Sequence, residues 1–88
     1  MDLKEIIEKA VEIYNRYRSP EATAKLVEIL TNQFTIEFKG SFCQSCGVYD
    51  YFEDLIYEIK SSYLSLNIAI ANIKESNGSF FVTYKVEF

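Results

Sequence analysis

Hydrophobic residues recur at helical spacing over the first part of the chain, with charged residues on the opposite face. The apolar positions are Leu3, Ile7, Ala10, Tyr14 and Tyr17. A stripe of this kind is typical of a helix that packs against a core along one side. Asp2 followed by Glu5 fits a helix N-cap with a reciprocal acidic residue in the first turn. The pattern predicts an amphipathic helix over residues 2–18.

A second helical start follows at once. Ser19, Pro20 and Glu21 match an N-cap, a proline at the first helical position and an acid in the first turn. The inward-facing positions after it are Ala22, Leu26, Val27 and Leu30. We therefore expect a second helix over residues 20–31, paired with the first as a helical hairpin.

The spacing of apolar residues then changes from helical to alternating. Phe34, Ile36 and Phe38 alternate with polar residues, which is the pattern of a half-buried strand. Helical spacing returns once more before two further alternating runs, and Asn77-Gly78 between these runs favours a β-hairpin. The predicted ranges are strands at 33–39, 64–74 and 79–88 and a helix at 48–62.

The hairpin needs an irregularity to bury both of its strands. With a strict two-residue Asn77-Gly78 loop and regular pairing, the apolar residues far from the turn lie opposite polar residues of the other strand. A shift of one residue turns every side chain to the other face of the sheet, so the register decides which residues are buried. Placing Ile70 opposite Tyr84 restores both faces, through either a three-residue loop or a bulge near Asn72. The core-facing residues of this register are Leu66, Ile68, Ile70, Tyr84, Val86 and Phe88.

These elements predict a single α+β domain over residues 1–88. An N-terminal helical hairpin is followed by a β-α-β-β unit, whose three-stranded sheet is packed on one face by helices. The usual right-handed crossover makes the first two strands parallel, and the last strand lies either between them or at an edge. Because such a sheet has two edges to protect, pairing in a homodimer is a natural way to complete it.

Composition narrows the classes of function. The 88-residue chain has a net charge of −4 and no histidine, which removes the usual general base and makes an enzyme less favoured. With 13 acidic residues against 9 basic ones, no nucleic acid partner is expected unless dimerisation concentrates Lys39, Lys60, Lys74 and Lys85. There is no secretory signal and no membrane-length apolar run, so we expect a cytoplasmic protein with no membrane contact.

Cys43 and Cys46 form a CxxC between a predicted strand and a predicted helix N-terminus. A helix dipole and free backbone N–H groups stabilise a thiolate there, whereas the acids that follow in the helix oppose it. Two thiolates are also half of a tetrahedral zinc site. Three interpretations of the CxxC are therefore possible: a structural disulfide or buried thiol pair, a redox site, or a metal site. We expect no cofactor, with zinc or an iron–sulfur cluster shared across a dimer as the alternative.

An acidic, tyrosine-rich stretch follows the cysteines. Its candidate partner-binding residues are Tyr49, Tyr51, Glu53 and Asp54. Exposed tyrosine beside acids is typical of a partner-binding patch. The alternative is that one tyrosine packs against the helical hairpin and the acids complement the helix N-terminus.

Two resemblances bear on function. The stretch from Phe34 to Cys46 resembles the strand and GxCxxC of NifU-type iron–sulfur scaffold domains, with one extra residue between Gly40 and Cys43. That resemblance implies cluster binding across a dimer. The whole chain, rich in Ile, Tyr, Glu and Lys and with a single proline, is similar to small acidic proteins of Sulfolobus-type archaea and their viruses. Some proteins of that kind are dimeric inhibitors that act by protein contact, which implies an interaction protein.

The sequence therefore favours a non-enzymatic protein-binding or regulatory homodimer. The alternative is a thiol-redox or metal-binding protein centred on Cys43 and Cys46.

Overall fold

The computed structural model describes residues 3–19, 22–40, 48–62 and 66–87 of the chain. Two helices and four strands lie in this part of it. They are α1 (Leu3–Arg18), β1 (Thr23–Ile29), β2 (Gln33–Lys39), α2 (Val48–Ser62), β3 (Asn67–Ser76) and β4 (Ser79–Glu87). The α+β class is as predicted, but the described fold has one strand more and one helix fewer than expected.

The predicted second helix over residues 20–31 is wrong, because the chain forms strand β1 there. Thr23 and Lys25 are exposed while Ala24 between them is buried, which is the alternation of a strand. β1 pairs antiparallel with β2. Strand preference depends mainly on the neighbours that a segment packs against, and here the β2 edge outweighs the local capping signal. The predicted helical hairpin is thus one helix followed by a β-hairpin.

The four strands form one sheet in the order β1-β2-β4-β3, with every neighbouring pair antiparallel. Because β2 and β3 each run antiparallel to β4, they are parallel to each other. This agrees with the predicted crossover and places the last strand between the two. The sheet of the described chain has its edges at β1 and β3.

The predicted register of the final hairpin is confirmed. Ile70 pairs with Tyr84, and the register shifts between Ile70 and Asn72. The loop itself is the two-residue Asn77-Gly78, and both residues have positive φ, at 51° and 80°, as a type I′ turn requires. A bulge, not a longer loop, therefore brings the two apolar faces together.

Both helices pack on the same face of the sheet, where one hydrophobic core lies. Its largest fully buried side chains include Tyr14, Tyr84, Phe34, Phe38 and Phe52. Phe34 stacks on Tyr84 with ring centroids 5.0 Å apart, and Phe38 lies 4.9 Å from Phe52. Such pairs contribute roughly 0.5–1.5 kcal/mol each beyond the area they bury. Phe88, also predicted to face the core, lies outside the described residues.

Candidate functional site

Two buried tyrosines from different elements hold the N-terminal half of α2. Tyr14 of α1 donates a hydrogen bond to the backbone carbonyl of Tyr51 at 2.9 Å. Tyr84 of β4 donates to the carbonyl of Phe52 at 2.8 Å. Burial raises the pKa of both phenols above the ordinary value of 10.0. Both hydroxyls therefore keep their protons at neutral pH and fix the position of α2.

One side of α2 contacts α1 through charged groups. Arg18 Nε lies 3.4 Å from Asp54 Oδ2, and Arg18 Nη1 lies 3.5 Å from Glu58 Oε1. The guanidinium group also lies 4.5 Å from the centroid of the Tyr14 ring. Because the Arg18 side chain is only 24% exposed, solvent and salt screen these pairs less than they screen surface pairs.

The structure divides the four predicted partner-binding residues between two sides of α2. Tyr51 is half-buried against the core, and Asp54 pairs with Arg18. Tyr49 is 51% exposed, and Glu53 is half-buried. Helical spacing places Tyr49 and Glu53 on the side of α2 that points away from α1. The four residues do not form one patch.

The outward surface of α2 is acidic and rich in tyrosine. Tyr57 is 67% exposed, and Asp50 is also exposed. We call Tyr49, Asp50, Glu53 and Tyr57 the α2 surface. Tyr57 was not among the predicted residues, although its spacing of four residues from Glu53 puts both on one side of the helix and could have identified it.

The two edges of the sheet differ. At β1, the side-chain amide of Asn15 donates to the carbonyl of Ala24 at 2.9 Å and accepts from the Ala24 N–H at 2.7 Å. A side chain of α1 thus takes the place of a neighbouring strand, and a bulge between Leu26 and Glu28 interrupts the same edge. Among the described residues, no side-chain hydrogen bond reaches the backbone of β3.

The face of the sheet that is turned away from the helices carries mixed charge. Its lysines are Lys25, Lys39, Lys74 and Lys85, and its acids are Glu28, Glu37 and Glu87. The sequence predicted that only dimerisation could bring enough lysines together to bind nucleic acid. Three of those four lysines, Lys39, Lys74 and Lys85, already share this face within one chain. The interleaved acids prevent a phosphate-binding stripe, since Lys39 itself lies 3.5 Å from Glu37. That nucleic acid is not a partner stays a prediction.

Cys43 and Cys46 lie outside the described residues, so the structural and redox interpretations of the CxxC stay predictions. Within residues 3–19, 22–40, 48–62 and 66–87, no group of three or more Cys, His, Asp or Glu side chains could hold a metal ion. Neither described helix is long and apolar enough to cross a membrane.

No protein-family model and no curated protein matches the chain, but several solved structures share its fold. One is an oxygen-binding H-NOX domain related to soluble guanylate cyclases, in its oxygen complex; the TM-score is 0.54 at 14% identity, over 100% of this chain and 48% of that one. Another is the Fe(II) unliganded H-NOX protein from K. algicida, with a TM-score of 0.52 at 19% identity, over 94% of this chain and 48% of that one. A third, described for the modulation of heme redox potential by porphyrin distortion, has a TM-score of 0.54 at 14% identity, over 100% and 48%. The chain spans about half the length of these structures, and its fold is H-NOX-like.

The cofactor expectation drawn from the sequence is wrong. It was that no cofactor binds, or alternatively that zinc or an iron–sulfur cluster is shared across a dimer. Two of the structures that share this fold are described as H-NOX proteins, and heme is named in the description of the third. Zinc, an iron–sulfur cluster and the NifU-type resemblance are therefore not proposed for this chain.

The described residues do not fit a histidine-ligated heme. The chain contains no histidine, which is the proximal ligand in many heme proteins. The buried hydroxyls of Tyr14 and Tyr84 already donate to backbone carbonyls. Two depressions lined by described residues, of about 160 and 440 Å³, are open to solvent. Cysteine thiolate also ligates heme iron, and Cys43 and Cys46 lie outside the described residues.

Proposed function

We propose that the protein is a small non-enzymatic regulatory protein that forms a homodimer and binds a protein partner. The observation that carries the proposal is the α2 surface, where exposed Tyr49 and Tyr57 lie beside acids. Tyrosine is enriched where proteins meet, because its ring buries a large area at a small cost in side-chain entropy. The helix beneath is held by the hydrogen bonds of Tyr14 and Tyr84, so binding need not order it.

The charge of α2 supports a partner with a basic surface. The acids of the helix are Asp50, Glu53, Asp54 and Glu58, against one basic residue, Lys60. Arg18 pairs with Asp54 and Glu58, which leaves Asp50 and Glu53 to act on a partner. An opposite charge speeds encounter and suppresses wrong partners, and its effect weakens as salt rises. We propose that the partner presents lysine or arginine around an apolar pocket that takes a tyrosine ring.

Affinity capture from cells that make the protein tests this proposal with a matched control. The test variant is Tyr49→Ala with Tyr57→Ala, and the control is Tyr17→Ala, since Tyr17 is a 74% exposed tyrosine on α1. We expect the wild type and the control to retain the same partner, and the double variant to bind it at least about tenfold more weakly, as for interface anchors. Unchanged capture by the double variant, or an equal loss with Tyr17→Ala, would contradict the assignment.

Heme binding is a second candidate, and the likeness to H-NOX structures favours it. It would need an iron ligand other than histidine, and cysteine is one such residue type. A hemin titration followed by absorbance tests it with the wild type and with Cys43→Ser plus Cys46→Ser. Saturation at one heme per chain with a shifted spectrum, lost in the double variant, would support this candidate. A spectrum identical to that of free hemin would eliminate it.

A further inference from the structure

We infer that two copies of this chain meet along the edge of β3, so that their four-stranded sheets join into one continuous antiparallel sheet. The inference rests on the proposed homodimer and adds the surface on which that dimer forms. β3 is ten residues long, and its positions 67, 69 and 71–75 are exposed. A long edge strand presents a row of backbone N–H and C=O groups that a second strand can satisfy.

The opposite edge of the sheet is protected. Asn15 occupies both backbone groups of Ala24 on β1, and the bulge between Leu26 and Glu28 bends the strand. Bulges, charged residues and covering elements are the devices that keep edge strands from pairing. Since α1 packs against β1 and no comparable bond reaches β3 in the described chain, β3 is the edge left for pairing.

A second copy of the chain suits this edge for reasons of charge. A two-fold axis makes the two β3 strands antiparallel, so the unpaired backbone N–H and C=O groups of one β3 lie against the same groups of the other. The first seven residues of β3 carry no charge, and copies therefore meet without repulsion over most of the strand. Lys74 lies near one end of β3, whereas Glu87 lies opposite Asn67 at the other end. Antiparallel pairing of residues 67–74 of the two copies sets Lys74 of one copy opposite Asn67 in the other, and so one strand away from the partner's Glu87, twice in each dimer.

The distance between these two charges suits their long side chains. Lys74 and Glu87 both lie on the sheet face turned away from the helices. In the joined sheet, one strand of the partner separates their backbones, which places them about 10 Å apart at the usual spacing between strands. Extended lysine and glutamate side chains span such a gap, so the two contacts favour a copy of this chain over an uncharged strand.

Pairing through β3 also combines the proposed binding surfaces of the two copies. Lys60 of α2 and Asn67 of β3 line the same depression. Tyr49 and Glu53 lie on the Lys60 side of the helix, because helical spacing of 11 and 7 residues returns to one stripe. The Tyr49 and Glu53 stripes of two copies therefore face each other across the joined sheet.

Matched substitutions at the two edges test the inference. Ile73→Lys changes a residue of β3 that is 37% exposed, and Val27→Lys changes a residue of the β1 bulge that is 44% exposed. We expect light scattering to give a dimer for the wild type and for Val27→Lys. Ile73→Lys should weaken the dimer by more than about tenfold, as for a charge placed in a packed interface. Circular dichroism checks that all three proteins fold.

A charge swap tests the antiparallel pairing without placing a charge in the core. Lys74→Glu and Glu87→Lys should each weaken the dimer by about three- to tenfold, since exposed ion pairs are individually modest. The double variant restores opposite charges at both contacts, so its dissociation constant should return close to that of the wild type. Both positions are exposed, so we expect either change to leave the folded monomer intact.

Each outcome separates this inference from the proposed function. A wild type that stays monomeric at every attainable concentration would overturn both the homodimer and the β3 edge. A dimer that survives Ile73→Lys but dissociates on Val27→Lys would keep the homodimer and overturn the β3 edge. Additive losses from Lys74→Glu and Glu87→Lys, with no recovery in the double variant, would overturn the antiparallel contact. Affinity capture of the protein partner does not depend on the dimer masses measured by light scattering, so it tests the proposed partner binding separately.

Discussion

At the scale of single residues, two buried phenols set the position of α2. The hydroxyls of Tyr14 and Tyr84 reach consecutive carbonyls of the helix, those of Tyr51 and Phe52. A buried hydroxyl that makes no hydrogen bond costs more free energy than its bond contributes when made. The two tyrosines therefore stabilise one arrangement of α1, α2 and β4 and disfavour arrangements in which α2 slides along the sheet.

Replacing Tyr84 by Phe should lower the free energy of unfolding by about 1 kcal/mol, because the ring stays while a buried hydrogen bond is lost. Tyr57→Phe is the control, since Tyr57 is 67% exposed and its hydroxyl meets solvent. Urea denaturation measures both changes. Equal stability losses in the two variants would refute the role given to the Tyr84 hydroxyl.

Alkaline pH should destabilise the fold through the same phenols. Burial raises the pKa of Tyr14 and Tyr84 above 10.0, so the folded state keeps protons that the unfolded state releases. Their contribution is constant below pH 10 and is lost as pH rises above it, by about 1.4 kcal/mol per pH unit for each tyrosine. Urea denaturation from about pH 8 to about pH 12 should show a steeper loss for the wild type than for Tyr14→Phe with Tyr84→Phe. Identical slopes would contradict the burial of these groups.

Apolar spacing predicted the burial of Tyr14 and Tyr84 but placed Tyr17 on the same inward face, where it is 74% exposed. A pattern shows which residues share a face, not which of them a neighbouring element covers. The hydrogen-bond acceptors were also out of reach of sequence analysis. They are backbone atoms of residues 37 and 32 positions away, and only the packed fold brings them close.

At the scale of elements, β1 is where local and tertiary preferences conflict. Ser19 and Pro20 match the start of a helix, yet the chain from Thr23 to Ile29 is a strand. A capping signal acts over one turn, whereas pairing with β2 satisfies backbone groups along the strand and buries Ala24 to 3% exposure. The other elements were predicted because their longer apolar patterns agree with their burial in the fold.

Asn15→Ala should destabilise the protein by about 1–3 kcal/mol, although alanine is the better helix former, because two hydrogen bonds to the edge of β1 are lost. Asn32→Ala makes the same chemical change at an exposed position between β1 and β2 and should alter stability by less than about 0.5 kcal/mol. Thermal unfolding of the two variants checks this. A similar loss in both would mean that the Asn15 amide does not protect the β1 edge.

At the scale of the whole molecule, the likeness to an H-NOX domain extends over 100% of this chain, which includes the four-stranded sheet. The sequence patterns predicted the α+β class, the parallel relation of β2 and β3, and the register of the final hairpin, but they predicted a helix where β1 lies. Two of the four predicted partner-binding residues lie on the α2 surface, and that this surface binds a partner stays a prediction. Tyr49 and Glu53 remain on the α2 surface, whereas Tyr51 and Asp54 turn toward the core and α1. Which side of α2 stays open depends on where α1 packs, and a single helix pattern does not contain that information.

The asymmetry of the two sheet edges links fold to proposed function, and backbone hydrogen exchange of the wild-type protein tests it most directly. Exchange is measured at concentrations above and below dimer dissociation. We predict that the amides of β3, residues 67–76, exchange more slowly as concentration rises, while those of β1, residues 23–29, do not change. Concentration-dependent protection at β1, or none at β3 over a range in which the mass doubles, would contradict the account.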